Sequence, residues 1–164
     1  MRSFDSFGAF AVHLLEREVA TVVALQAGLH HVAKAIETSA KAEIGQYQQT
    51  VGPFNAWDSL AESTEAEKAR LGYEPDAPLL RTGGLRDSIT HEVDGLEAAI
   101  GSDDDVMVYH EFGTPKMPPR PVLGPAAIHN KQRIEKIVGA ALVTGLVGGD
   151  MIHPGLGYDF KAGA

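Results

Sequence analysis

Between Ala11 and Gln46 apolar residues return every seven positions, at Leu15, Val22, Leu29 and Ile36, and Val19, Gln26, Ala33 and Ala40 fill the intermediate seam. This alternation of threes and fours predicts one long amphipathic helix. About 35 residues at ~1.5 Å each extend ~50 Å, whereas a single domain of this size has a radius of gyration near ~15 Å. Val12, Val23 and Leu25 widen the apolar stripe. Two readings follow: later segments of the chain cover the stripe, or a neighbouring molecule does.

From Val51 to Leu80 the periodicity stops. "VGPFNAWDSLAES" reads as an irregular loop anchored by Trp57 and Leu60. Thr64 and Glu67 have capping-box spacing for a short helix, and Gly72 reads as its stop. Within "LLRTGGLRDSI", Thr82 is placed to cap a helical turn that carries Leu85 and Ile89. "ITHEVDGLEAAI" then has two five-residue runs around Asp94-Gly95. A type I′ turn at Asp94-Gly95 predicts a hairpin over 89–100, pairing Val93 with Leu96, His91 with Ala98 and Ile89 with Ile100. That pairing puts those six side chains on one face and Thr90, Glu92, Glu97 and Ala99 on the other.

After the acidic link Gly101–Asp105, "VMVYHEF" reads as a helix capped by Asp104 or Asp105 and stopped by Gly113, with a strand as the rival reading. Pro115, Pro118, Pro119 and Pro121 follow, fixing φ and removing four amide donors. Such a segment is excluded from a central strand, though Arg120–Leu123 has room for an edge strand. Gly124 and Pro125 open a last helix whose buried face is Ile134, Ile137, Val138, Ala141 and Leu142, and Gly148-Gly149 ends it. The fold class expected is α+β: a long N-terminal helix and a C-terminal helix packed on a small antiparallel sheet that contains the 89–100 hairpin. Residues 1–146 read as a single domain and 147–164 as a glycine-rich tail, whose Met151, Ile152, Leu156, Tyr158 and Phe160 suit docking on another chain.

Composition narrows the function. The chain has 164 residues and a net charge of -8, which disfavours a sequence-independent grip on nucleic acid. It has no cysteine, so disulfides and thiolate metal sites are excluded. No apolar run reads as a signal core or as a membrane span of ~20 residues, and the expectation is a protein made in a cytoplasm and working in water. Against the acidic background, Arg81, Arg86, Lys116 and Arg120 gather around the Thr-Gly-Gly and proline motifs. They read either as a positive rim facing an acidic partner or as loop-solvating charges.

Candidate chemistry is sparse. His30 and His31 are adjacent and point about 100° apart on a helix, so they do not chelate together. His91 and His110 each precede a glutamate, without the His-x-x-x-His spacing of a helical metal site. Glu111 beside His110 and Tyr109 has the composition of a general base, and "RTGG" lacks the frame of a phosphate loop. No nucleophile motif is present and none calls for a cofactor. The expectation is a protein that is not an enzyme. The alternatives are a small metal-dependent hydrolase using His91, His110 and Glu111, and a coiled-coil adaptor built on the first helix.

The order of motifs resembles the tail-completion proteins of long-tailed phages, the virion-morphogenesis or head–tail joining family also found in prophages and gene transfer agents. The resemblance runs from Trp57 to Ala141. It is carried by Trp57, Leu60, Thr64 and Lys68, by Leu80, Thr82, Gly83, Leu85 and Ser88, and by Tyr109, Glu111, Phe112, Gly113, Thr114, Met117, Arg120 and Pro121. It implies a structural subunit that forms a homo-oligomeric ring, typically six-fold, at the head–tail joint of the virion. Such a ring ends tube growth or docks the tail to the head connector, and is expected to let DNA pass through the lumen without specific binding. A closed ring needs a heterologous interface. The expected contributors are Tyr109, Phe112, Lys116, Met117, Pro119, Arg120, Pro121 and Leu123, with Arg81 and Arg86. Tyr109 and Phe112 are expected to anchor a stiff arm to the core, while Met117 to Leu123 face a neighbour.

Overall fold

Helix α1 runs from Phe7 to Glu43, 37 residues without interruption, in a computed structural model that describes residues 4–147. It begins four residues earlier and ends three earlier than the periodicity alone indicates. At its start Ser6 caps it, Oγ accepting from Ala9 N at 3.1 Å. At its end the Gly45 N–H leaves the helical ladder and donates to Pro78 O at 2.8 Å. By length and composition α1 would also suffice to cross a membrane, where the sequence reading found no such span. The reason is that Val19 to Ala33 holds no Asp, Glu, Lys or Arg.

The remaining elements are α2 (Glu62–Arg70), α3 (Gly84–Asp87), β1 (Ile89–Asp94), β2 (Glu97–Ser102), α4 (Val106–Phe112), α5 (Leu123–His129) and α6 (Lys131–Val147). The architecture is α+β, and among the described residues its sheet is the two-stranded hairpin β1–β2. The sides of the hairpin alternate as expected, with Ile89 buried and Thr90, Glu92, Glu97 and Ala99 exposed, except that Leu96, expected inward, falls in the turn and is exposed. The turn sits one residue later, at Gly95-Leu96. Of these two residues only Gly95 has positive φ (+56°), which excludes type I′ and matches type II′, whose glycine is the first central residue.

The other local expectations divide. α4 is helical, so the strand alternative is overturned, and Arg120–Leu123 forms no strand. The Thr64–Glu67 capping box does not form. α2 begins after Ala61 without a side-chain cap, and Glu67 pairs instead with Arg81. The last helix is two helices, α5 and α6, broken at Asn130, whose buried amide donates to Ser39 Oγ at 2.7 Å and Ala126 O at 2.9 Å. Pro125 is tolerated in the first turn of α5, where its missing N–H would have been an orphan. Gly148-Gly149 and the rest of the tail lie outside the described residues.

Contacts group the chain into two compact units. The first comprises, among the described residues, the N-terminal part of α1 up to Val32, residues 93–98 and residues 132–147. Its interior is made of small residues: Ala24, Ala140 and Ala141 are buried. Gly28 admits Ala141, whose Cβ would be 3.0 Å from a Cβ added there, and Gly145 faces the Thr21 backbone so closely that a Cβ would collide with Thr21 Cα. Leu142, expected on the buried face, is exposed, because that close approach turns the glycine and alanine side of α6 inward.

The second unit comprises residues 33–92 and 99–131. Ile36, Ala40, Ile44, Trp57, Ala77, Ile89, Met107, Val122 and Ala126 form its core. Two charged side chains are buried with them. Lys68 Nζ donates to Ala77 O at 2.6 Å, and burial lowers its pKa. Glu37 meets Lys41 at 2.7 Å, Lys34 at 3.2 Å and His91 Nδ1 at 2.5 Å, which ties α1 to β1. The hydrogen bond from Lys41 foremost, then those from His91 and Lys34, overcomes burial and holds the Glu37 carboxyl at about 2.

A depressed carboxylate stabilises the fold above the unfolded value of 4.5 and ceases to do so as pH falls through about 2. Stability measured by urea denaturation is expected to fall across that window, and Glu37→Gln to flatten it. Gly145→Ala is expected to destabilise, because overpacking costs ~1–3 kcal/mol against ~1 kcal/mol of gained helix propensity. Gly101→Ala, which meets nothing within 4 Å, is the matched control and is expected to be near neutral in thermal unfolding.

Candidate functional site

The segment Gly113–Val122 lies in the second unit and has little backbone ladder of its own. Its internal pairing is a single bridge, Thr114 with Met117 (2.9 and 3.1 Å). Gly113 ends α4 at φ +73°, and a Cβ there would lie 2.9 Å from Pro119 N, so both conformation and space favour glycine. Two side chains hold the rest. Glu111 Oε1 accepts from both Val122 N and Leu123 N, each at 2.7 Å, and so satisfies the first amides of α5. Arg120 donates from Nη2 to Asp58 O at 2.8 Å and Ser59 O at 3.3 Å, and its own N–H donates to His110 O at 2.6 Å.

These bonds reverse the expected orientation of the arm. Phe112 is 81% exposed and Tyr109 54% exposed, so neither anchors the segment. Met107, one turn away on the other side of α4, is buried in their place. Arg120, Pro121 and Val122 are buried in their own chain, while Leu123 and Met117 are half-buried. Lys116 and Pro119 are exposed. The sequence pattern did not reveal this because a seven-residue helix offers two apolar sides, and only packing chooses between them.

Behind the segment is a cleft of about 540 Å³. α2 contributes Lys68, the Leu79–Leu85 stretch contributes Arg81 and Thr82, α4 contributes Val106 and His110, and the proline segment contributes Lys116 and Arg120. Three of the four cations singled out from sequence therefore converge here. Arg86 does not line the cleft and pairs with Asp87 at 3.0 Å. Lys68, which sequence reasoning did not count among the cations, is the buried fourth. Its early signal was its place among the residues that carry the family resemblance. Burial and the Arg120 charge lower the pKa of His110, whose Nδ1 is buried without a partner, as is Arg120 Nε.

The residues of the hydrolase alternative are not assembled. His91 bonds Glu37, His110 faces Arg120, and Glu111 is spent on backbone amides. A different carboxylate is perturbed. Burial pushes Glu43 up to about 7 against the pull of His129, 3.0 Å away. Ser39, Tyr47, three glutamines and His129 line the same surface, and the Ser39 Oγ accepts from Asn130.

Glu111→Ala is expected to lose ~3 kcal/mol in urea denaturation, since two charge-assisted bonds go and two amides are orphaned. Glu111→Gln keeps an acceptor oxygen and is expected to lose ~1 kcal/mol.

Comparison with known proteins places the sequence in a family. No curated protein and no solved structure matches the chain. The model of the phage virion morphogenesis family matches residues 11–143, a span that includes most of the long helix, the Thr-Gly-Gly motif, the hairpin, the proline segment and most of α6. The chain belongs to the phage virion morphogenesis family.

Proposed function

We propose that this protein is a structural subunit that assembles with its own copies into a closed ring at the head–tail joint, completing the tail tube or docking it to the head connector, or both. It turns over no substrate. The observation that carries this reading is the apolar surface left open on the first unit. Phe7 is 85% exposed, and Val12, Leu14, Leu15, Val19 and Val23 on α1 and Leu146 on α6 are exposed as well. An apolar stripe of this length is an interaction surface by the usual measure of soluble proteins. Membership of the phage virion morphogenesis family supports a role in particle assembly.

Ring closure is heterologous, so the stripe meets a different surface on the neighbour. The exposed Tyr109, Phe112, Lys116 and Pro119 of the proline segment are the proposed counterpart. Exposed aromatics and a segment already stiffened by proline lose little entropy on docking. The net charge of -8 suits a lumen through which DNA passes without being held. Tail tube protein and head connector are the proposed neighbours along the axis.

Sedimentation of the purified chain and electron microscopy of particles test the reading. Sedimentation reads self-association of the chain alone, and microscopy reads assembly on the tail tube. The double variant Leu15→Glu, Val19→Glu is expected to remain folded by circular dichroism, to lose self-association and to yield particles without joined tails. Wild-type particle assembly by that variant overturns the reading.

A further inference from the structure

The cleft behind the proline segment has a chemistry that a structural ring by itself does not require. Its lining carries Lys68, Arg81, Lys116 and Arg120 and includes no Asp or Glu, in a chain with 22 acidic residues and 14 basic ones. Two of these cations are withdrawn from water: Lys68 is 7% exposed and Arg120 8%. Lys68 spends one donor on Ala77 O, and Arg120 spends Nη2 on two carbonyls while its Nε has no partner. The His110 Nδ1 beside it is likewise unpartnered. Unsatisfied buried donors are costly, and an anion in the cleft is one way to offset that cost. Glu67 reaches Arg81 at 2.8 Å, but that pair is half-exposed and contributes little.

We infer that this cleft is a docking site for an acidic segment of a partner polypeptide, one carboxylate of which enters toward Arg120 and Lys68 while Arg81 and Lys116 hold its neighbours at the rim. Leu60, Leu80, Leu85 and Met117 give the cleft apolar walls that suit the methylene stems of glutamate. A nucleic-acid strand is a poorer fit, because phosphate tracking needs a continuous cationic face and this chain is acidic outside the cleft. The inference deepens the assembly reading and rests on it, naming the chemistry of one contact.

The test uses the full chain. It is titrated calorimetrically with hexaglutamate, with hexaglutamine and with inorganic phosphate. Hexaglutamate is expected to bind saturably and hexaglutamine not to bind. Arg81→Ala with Lys116→Ala, both at exposed positions, is expected to weaken hexaglutamate about tenfold or more with unfolding temperature unchanged. Absence of saturable binding, binding that the double variant leaves intact, or phosphate binding as tightly as the peptide each overturns the inference. Sedimentation of the same samples separates the two readings. Self-association that persists while hexaglutamate fails to bind removes the cleft and leaves the ring; hexaglutamate binding by a chain that never assembles, alone or on particles, removes the ring.

Discussion

Four prolines between Pro115 and Pro121 deprive that segment of backbone donors, and one carboxylate makes up the difference. Glu111, projecting from α4, accepts the first two available amides at the start of α5. That clamp determines where the segment re-enters the core, and hence the burial of Pro121 and Val122. It also sets which face of α4 looks outward, since a helix whose Glu111 points to α5 presents Phe112 to solvent. Arg120 supplies the second fixed point by reaching the carbonyls of Asp58 and Ser59. Between these two points the loop is stiff and its Lys116 and Pro119 side stays open.

The same pinning gathers charge. Arg120 is separated from Lys68 by 52 positions in the chain, yet both line one cleft. Both are buried, and the Arg120 Nε has no partner, which is an expensive arrangement for a fold to keep. Elsewhere the second unit satisfies its buried charge fully: Glu37 has Lys41, Lys34 and His91 around it. The contrast between a completed network and an incomplete one marks the cleft as a place for something the chain does not itself provide.

Separation of the catalytic candidates follows from the same contacts. His91 and His110 each stand beside a glutamate in sequence, but strand β1 and helix α4 send neighbouring side chains to different surroundings. One histidine completes the Glu37 network and the other sits under Arg120. Glu111, the proposed base of that alternative, serves the backbone.

Local pattern determined the elements with period and punctuation: the long α1, the hairpin with its alternating faces, the helical α4 closed by Gly113, and the order of motifs that led to the family. It misplaced the turn by one residue, because Asp-Gly and Gly-Leu are both acceptable turn pairs and strand pairing chose between them. It joined α5 to α6, because nothing local announces that Asn130 will be drawn to Ser39, 91 residues away. It turned α4 the wrong way and left Lys68 out of the cationic cluster. Those choices depend on contacts between residues far apart in the chain, where burial and hydrogen bonding outweigh periodicity. Only the tertiary structure brings such residues together, so only it decided which side of the proline segment belongs to the core and which is left for a partner.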